Sequence, residues 1–236
     1  MSILEDLRDE MDLLATEENR LIGLRYFKNY EKINICGIKS AEVHALAKKY
    51  YKAISTYSKD EIFDLSNKLF SSGVMEESFI ASSWLKKIAG RFEFSDFDVF
   101  EEWVDSYICN WASCDSFCSQ VTGEFILRFP NLAPRLKLWA KSKNIWMKRA
   151  SAVSLILPLR RSQHFEIAYE IADILLIDSD DMVQKGYGWM LKVASQKRQT
   201  EVFEYVMKNK HLMPRTALRY AIEKMPVDLK AAAMKK

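Results

Sequence analysis

The sequence predicts an all-α protein built from stacked antiparallel helix pairs. Three observations carry this expectation. Only seven glycines and five prolines interrupt 236 residues, apolar residues recur with a period near 3.6, and the alternating stretches that would mark strands are few. With 49% hydrophobic residues, a chain of this length has enough apolar side chains for a core without disulfide or metal staples. Residues 1–236 are therefore read as a single domain.

Individual elements follow from the same pattern. Residues 42–52 place Val43, Leu46, Ala47 and Tyr50 on one stripe, and 97–108 do the same with Phe97, Phe100, Val104 and Tyr107. Ser58 and Glu61 have the spacing of a capping box, which pairs backbone N–H groups that a helix start leaves unsatisfied. Pro214 sits just inside a helix running through Arg219 to Lys224, where a missing N–H costs nothing. Breaks at Gly37, Gly73, Gly90, Pro130, Pro158, Asp178 to Asp180 and Met213 divide the chain into about a dozen short helices. Residues 230–236 read as a frayed helical tail.

Short helices must each bury one face against a neighbour, and stacked pairs achieve this. Ser83-Trp84-Leu85-Lys86-Lys87-Ile88-Ala89 echoes Gly188-Trp189-Met190-Leu191-Lys192-Val193-Ala194, and Trp111, Trp146 and Trp189 fall 35 and 43 residues apart. Those spacings approach the ~40–47 residues of a HEAT or armadillo unit. The expected architecture is a HEAT-like-repeat α-solenoid, whose curvature offers an extended concave binding face.

Composition excludes several classes. Cys36, Cys109, Cys114 and Cys118 form no Cys-x-x-Cys pair, and His44, His164 and His211 are far apart, so no zinc-type spacing exists and the cysteines are read as reduced core residues. No glycine-rich phosphate loop or dinucleotide fingerprint appears, and no His and carboxylate cluster has metal-ligand spacing. The expectation is no metal and no cofactor. No apolar run approaches the ~20 residues of a membrane span, and the first residues lack a signal-peptide pattern, which points to the cytoplasm and away from membranes. Charge is divided unevenly. Residues 1–118 hold 14 Lys and Arg against 21 Asp and Glu, a balance of −7, whereas 119–236 hold 21 against 11, a balance of +10. The clusters Lys137, Lys141, Lys143, Lys148 and Arg149, then Arg160 and Arg161, then Lys185, Lys192, Lys197 and Arg198 suit a phosphate backbone or ordinary solvated helix faces.

Four dispersed residues stand out: Trp111, Asp115, Arg149 and Trp189. Trp111 and Asp115 are four apart, so on a helix an aromatic plane and a carboxylate lie side by side. Two large aromatics, one acid and one arginine on successive helical layers suit a groove that grips a polyanion and stabilises positive charge beside it. Each residue also has a structural reading: Trp111 as core, Asp115 as a cap or an arginine partner, Arg149 as an exposed cation. Trp189 is flanked by Gly186 and Gly188, which permit close approach of backbone at a cost of about 1 kcal/mol each in helix propensity.

The ordered set Asn110-Trp111-x-x-x-Asp115, Phe129-Pro130, Trp139-Ala140-Lys141-Ser142, Trp146-Met147-Lys148-Arg149-Ala150-Ser151 and Gln184-Lys185-Gly186-Tyr187-Gly188-Trp189 resembles the HEAT-like-repeat alkylpurine DNA glycosylases, the AlkD-like DNA alkylation repair proteins. Arg25-Tyr26-Phe27-Lys28-Asn29 and Gly37-Ile38-Lys39 look like the family segments that meet DNA. The resemblance covers most of the chain. It implies a glycosylase that removes N3- or N7-alkylated purines from double-stranded DNA without flipping the base into a pocket; since no lysine is singled out as the amine nucleophile that strand cleavage would need, a monofunctional enzyme is expected. Asp115 matches the catalytic carboxylate, and Trp111 and Trp189 match the aromatic pair that packs on sugar and backbone. Arg149 matches a phosphate-contacting arginine and Tyr26 a DNA-contacting tyrosine; Lys39, Lys148, Lys185 and Lys192 complete the expected DNA contacts of a monomer.

Departures from the family pattern are Ala112 after Trp111, the local Ala-Ser-Cys-Asp-Ser-Phe-Cys sequence, and Tyr30-Glu31-Lys32-Ile33-Asn34-Ile35, which is more acidic than a DNA-gripping segment should be. Two other readings remain beside the glycosylase: a non-catalytic HEAT-like module that binds branched or distorted DNA, and a protein-binding α-solenoid that docks through its acidic and basic halves.

Overall fold

The computed structural model describes residues 2–28, 31 and 33–235. Asn29, Tyr30 and Lys32, which belong to the segments discussed above, lie outside them. Among the described residues there are sixteen α-helices and no strand; Asn34 and Val74 form an isolated parallel bridge. The chain packs as two compact units, Met1–Phe117 and Cys118–Lys236. Their boundary coincides with the change from acidic to basic composition.

The first unit contains α1 (Ile3–Leu14), α2 (Glu17–Leu24), α3 (Ser40–Ile54), α4 (Lys59–Ser71), α5 (Met75–Lys87), α6 (Asp96–Ser106) and α7 (Trp111–Phe117). Its centre is α5, packed against α3, α4 and α7. Of the stripes expected from periodicity, Val43, Leu46, Ala47 and Tyr50 on α3 and Phe97, Phe100 and Val104 on α6 are buried, whereas Tyr107, just past the end of α6, is only half-buried. Phe63, Phe70, Phe100, Trp103 and Phe117 make an aromatic core with ring centroids 5.3–6.1 Å apart in edge-on or tilted arrangements, the geometry that aromatic quadrupoles favour. Ser58 and Glu61 form the expected capping box.

A buried carboxylate organises the chain between α2 and α3. Glu76, in the first turn of α5 and 1% exposed, accepts the N–H groups of Cys36, Gly37 and Ile38 at 3.1, 2.9 and 3.3 Å. Gly37 has φ +92°, and a Cβ there would lie 2.4 Å from the Thr16 carbonyl oxygen, so this approach requires glycine. Burial pushes the adjacent Cys36 thiol up to about 11, helped by Glu76 and Glu77, which keeps it protonated at neutral pH. All four cysteines are free.

In the second unit the π-helical turn Cys118–Thr122 is followed by α8 (Gly123–Arg128), α9 (Leu136–Ala140), α10 (Ile145–Val153), α11 (Ile156–Arg160), α12 (Phe165–Leu175), α13 (Asp181–Ser195), α14 (Gln199–Asn209), α15 (Arg215–Ile222) and α16 (Val227–Met234). Here α13 is central, packed against α10, α11, α12, α14 and α15. The internal echo thus relates the central helices of the two units, but Trp84 is fully buried, with its indole N–H on the Ala47 carbonyl, whereas Trp189 is half-buried.

Three local expectations change. Pro158 does not break the chain; it occupies the third position of α11, where its missing N–H would lack an intrahelical partner in any case. Pro214 is the residue preceding α15 and not its first turn. The tail is helical through Met234, held by Lys210 Nζ on the Lys235 carbonyl at 2.9 Å and by Arg215 on the Met234 carbonyl. No helix among the described residues is long and apolar enough to cross a membrane.

Candidate nucleic-acid interface

In the first unit the candidate residues gather where α7 begins. Asn110 starts this helix: its side-chain oxygen accepts the Ser113 N–H at 2.9 Å and its amide donates to the Ser113 hydroxyl at 3.2 Å. Trp111 is the first residue of α7 and Asp115 lies one turn on, both half-buried, while Ser113, Cys114 and Phe117 face the core. Trp111 is fixed from three sides. Its ring stacks on Phe27 at 5.5 Å and 25°, its indole N–H reaches the Tyr26 carbonyl at 3.3 Å, and its backbone N–H donates to Glu31 Oε2 at 3.2 Å.

Glu31 was not distinguished by sequence, which marked only an acidic departure from the family pattern. At 5% exposure it also accepts the Lys28 N–H at 2.9 Å. One carboxylate therefore satisfies a helix-start N–H of α7 and holds the turn after α2, a favourable place for negative charge at a helix N-terminus. The Tyr26 side chain is 70% exposed beside this network. Lys39 takes no part in it; it is exposed at the start of α3, with its backbone N–H on Glu42 Oε2 at 3.2 Å.

In the second unit the candidate residues lie on α10 and α13. Gly186 lets these helices meet closely, since a Cβ there would lie 3.1 Å from Arg149 Cγ and 3.7 Å from its Cα. On the other face of α13, a Cβ at Gly188 would lie 2.7 Å from Tyr220 Cβ and 2.9 Å from the Ala217 carbonyl oxygen on α15. From Met182 to Ser195 every residue of α13 is buried except Lys185, Trp189 and Lys192. These are spaced four and three apart and form a single line along the helix.

Each cation here has an internal partner. Arg149 is 5% exposed with Nη1 on the Met182 carbonyl at 2.5 Å, at the first turn of α13. Lys148 pairs with Asp178 at 2.6 Å, Lys185 with Asp181 at 3.2 Å, and Lys192 with Glu223 at 2.8 Å while lying over the Tyr220 ring. Asp178 Oδ1 in turn accepts the Asp180 N–H, and Asp180 caps α13 through the Met182 and Val183 N–H groups. No group of three or more His, Cys, Asp or Glu with the geometry to hold a metal ion occurs among the described residues.

The first unit presents a half-buried tryptophan beside a carboxylate, and the second presents a tryptophan flanked by two lysines; each pairs an apolar plane with charge, as contact with sugars and phosphates requires. The model of the DNA alkylation repair enzyme family matches residues 7–225, nearly the whole chain.

The chain belongs to the DNA alkylation repair enzyme family.

Solved relatives share its fold. A predicted DNA alkylation repair enzyme from Enterococcus faecalis superposes with a TM-score of 0.80 at 18% identity, over 90% of this chain and 97% of that one. AlkD2 from Streptococcus mutans gives 0.59 at 19% identity, over 90% and 100%. No curated protein matches the sequence. The AlkD-like all-α fold and the enzymatic role in DNA alkylation repair that the sequence resemblance implied are thereby supported.

Proposed function

We propose that this repair enzyme is a monofunctional DNA glycosylase that hydrolyses the N-glycosidic bond of N3- or N7-alkylated purines in duplex DNA, without base flipping. The observation that carries the reading is the solvent line of α13. A helix buried on every other side opens to solvent at a tryptophan between two lysines, which matches a sugar-phosphate backbone better than a core or a peptide groove.

The chemistry asks little of an acid. An alkylated purine already bears positive charge and leaves with the bond's electron pair as a neutral base. The sugar becomes oxocarbenium-like, water adds at its anomeric carbon, and the released proton passes to solvent. The Asp115 carboxylate stabilises the developing positive charge and orients the water. Trp111, fixed by Phe27, Tyr26 and Glu31, and Trp189 offer π faces that attract C–H groups and cations. Arg149 and Lys148 on α10, Lys185 and Lys192 on α13, and Tyr26 and Lys39 in the first unit contact the backbone. For Arg149 the Met182 carbonyl sets the direction of the guanidinium fork. For Lys148, Lys185 and Lys192, each carboxylate partner is exchanged for phosphate on binding.

Single-turnover release of 7-methylguanine and 3-methyladenine from duplex DNA, with wild type and Asp115→Asn at matched salt, tests this. We expect a loss of at least about 100-fold in rate with duplex affinity kept, the scale of removing one transition-state-stabilising group. Tight binding to branched or distorted DNA with no release by wild type would leave a non-catalytic DNA-structure binder as the better account.

A further inference from the structure

Glu31 goes beyond what a helix start requires. The first turn of α7 already has a local cap in Asn110, which accepts the Ser113 N–H, and a neutral side chain could serve the Trp111 N–H as well. Instead a carboxylate reaches that N–H from 80 residues away, at 3.2 Å, and is 5% exposed. Taking a carboxylate out of water is costly unless hydrogen bonds compensate. Its other oxygen supplies one: Oε1 accepts the Lys28 N–H at 2.9 Å, while the Glu31 N–H donates to the Lys28 carbonyl at 2.9 Å. The side chain is therefore held at both oxygens, one on each segment that it joins.

Three contacts reach Trp111 from this stretch, and each fixes a different freedom. Phe27 sets the ring plane, the Tyr26 carbonyl sets the direction of the indole N–H, and Glu31 holds the backbone at the first residue of α7. Asp115 lies one turn along the same helix, so a shift of the Trp111 backbone carries that carboxylate with it. Charge gives a second reason for an acid here. A helix N-terminus bears partial positive charge, and α7 begins beside the aromatic plane and carboxylate assigned to a sugar that becomes positive. Glu31 offsets that charge at one of the N–H groups from which it arises. The residue also contributes to the acidic departure of segment 30–35 from the family pattern, so the departure and the support of Trp111 share one side chain.

We propose that Glu31 is a positioning residue of the candidate site: it touches no DNA, but it sets the Trp111 ring and the α7 register on which Asp115 depends, and its charge offsets the positive end of α7. The inference rests on the glycosylase reading above and deepens it.

The test compares wild type with Glu31→Gln, which keeps the size and one acceptor oxygen but gives up the charge and the second acceptor, with Trp111→Phe, and with the double variant. Single-turnover release of 7-methylguanine from duplex DNA at saturating protein gives the rate, anisotropy gives duplex affinity, and thermal unfolding gives the folded fraction. Fluorine NMR of 5-fluorotryptophan-labelled protein, with the Trp111 signal assigned by its loss in Trp111→Phe, reads the ring independently of activity. We expect Glu31→Gln to slow release about 10- to 100-fold, with affinity kept within about twofold, the chain folded and the Trp111 signal moved. In the Trp111→Phe background the same substitution should cost less, because residues that act as one unit are not additive. A wild-type rate in Glu31→Gln, or a slower rate accounted for by unfolded protein, would overturn the proposal and leave the glycosylase reading intact. Costs that simply add, with the Trp111 signal unmoved, would overturn it equally. Wild type that binds duplex yet releases no base would overturn the glycosylase reading; the Trp111 signal then decides the positioning alone, and an unmoved signal overturns that too.

Discussion

Arg149 shows how a candidate contact depends on residues that sequence leaves anonymous. Its guanidinium is drawn onto the Met182 carbonyl because Gly186 admits the arginine stem against α13. Glu31 has the same standing in the first unit: nothing in its neighbourhood announces that one carboxylate will join the turn after α2 to the start of α7. Trp111 and Asp115 were legible, because i,i+4 spacing on a helix brings side chains together whatever the tertiary structure. Their supports were not, since contacts 80 and 85 residues apart in sequence are set by packing. A different residue gives a pH prediction. His164 has φ +62° and burial lowers its pKa, against a smaller opposing effect of Glu166. Its folded-state pKa is depressed, so the unfolded chain takes up the proton first. Stability is complete above the ordinary histidine value of about 6.5 and declines as pH falls through it. In urea titrations at pH 7.5 and 5.5, His164→Asn, which tolerates the left-handed backbone, should show less acid loss than wild type. Equal losses would remove His164 from the account.

At the scale of elements, α13 is the helix on which the second unit depends. Its Gly186-Tyr187-Gly188 sequence puts one glycine against α10 and the other against α15, and the Tyr187 hydroxyl donates to the Leu176 carbonyl at 3.0 Å. Gly188→Ala would gain helix propensity but place Cβ 2.7 Å from Tyr220 Cβ and 2.9 Å from backbone oxygen. The expected net cost is about 1–3 kcal/mol, because overpacking against backbone cannot be relieved by a side-chain rotation. Thermal or urea unfolding checks this; an alanine variant as stable as wild type would show that α15 yields. Periodicity made most helix cores readable, as on α3 and α6, where burial follows the apolar stripe. It misjudged Pro158 because proline is tolerated in a first turn, and it misjudged the tail because Lys210 and Arg215 hold carbonyls that lie 19–25 residues away.

For the molecule as a whole, charge was the property that composition reported most directly. The change from −7 to +10 falls at the boundary between the two compact units. What composition could not report is occupancy: Lys148, Lys185 and Lys192 each meet a carboxylate. The Lys185–Asp181 pair, 30% exposed on both sides, is worth about 0–1 kcal/mol, so phosphate can replace the partner. Lys185→Gln and Lys192→Gln should each weaken duplex binding uniformly across sequences and reduce the salt slope by about one contact. Slopes equal to that of wild type would show that these lysines remain with Asp181 and Glu223 in the complex. As proposed above, this member of the DNA alkylation repair enzyme family acts by breaking a glycosidic bond. Incubating wild-type protein in excess with duplex DNA containing 7-methylguanine, and quantifying free base against a protein-free control, tests it most directly. A glycosylase gives first-order release well above spontaneous depurination and leaves an intact abasic strand; release no faster than the control from a bound duplex excludes glycosidic cleavage.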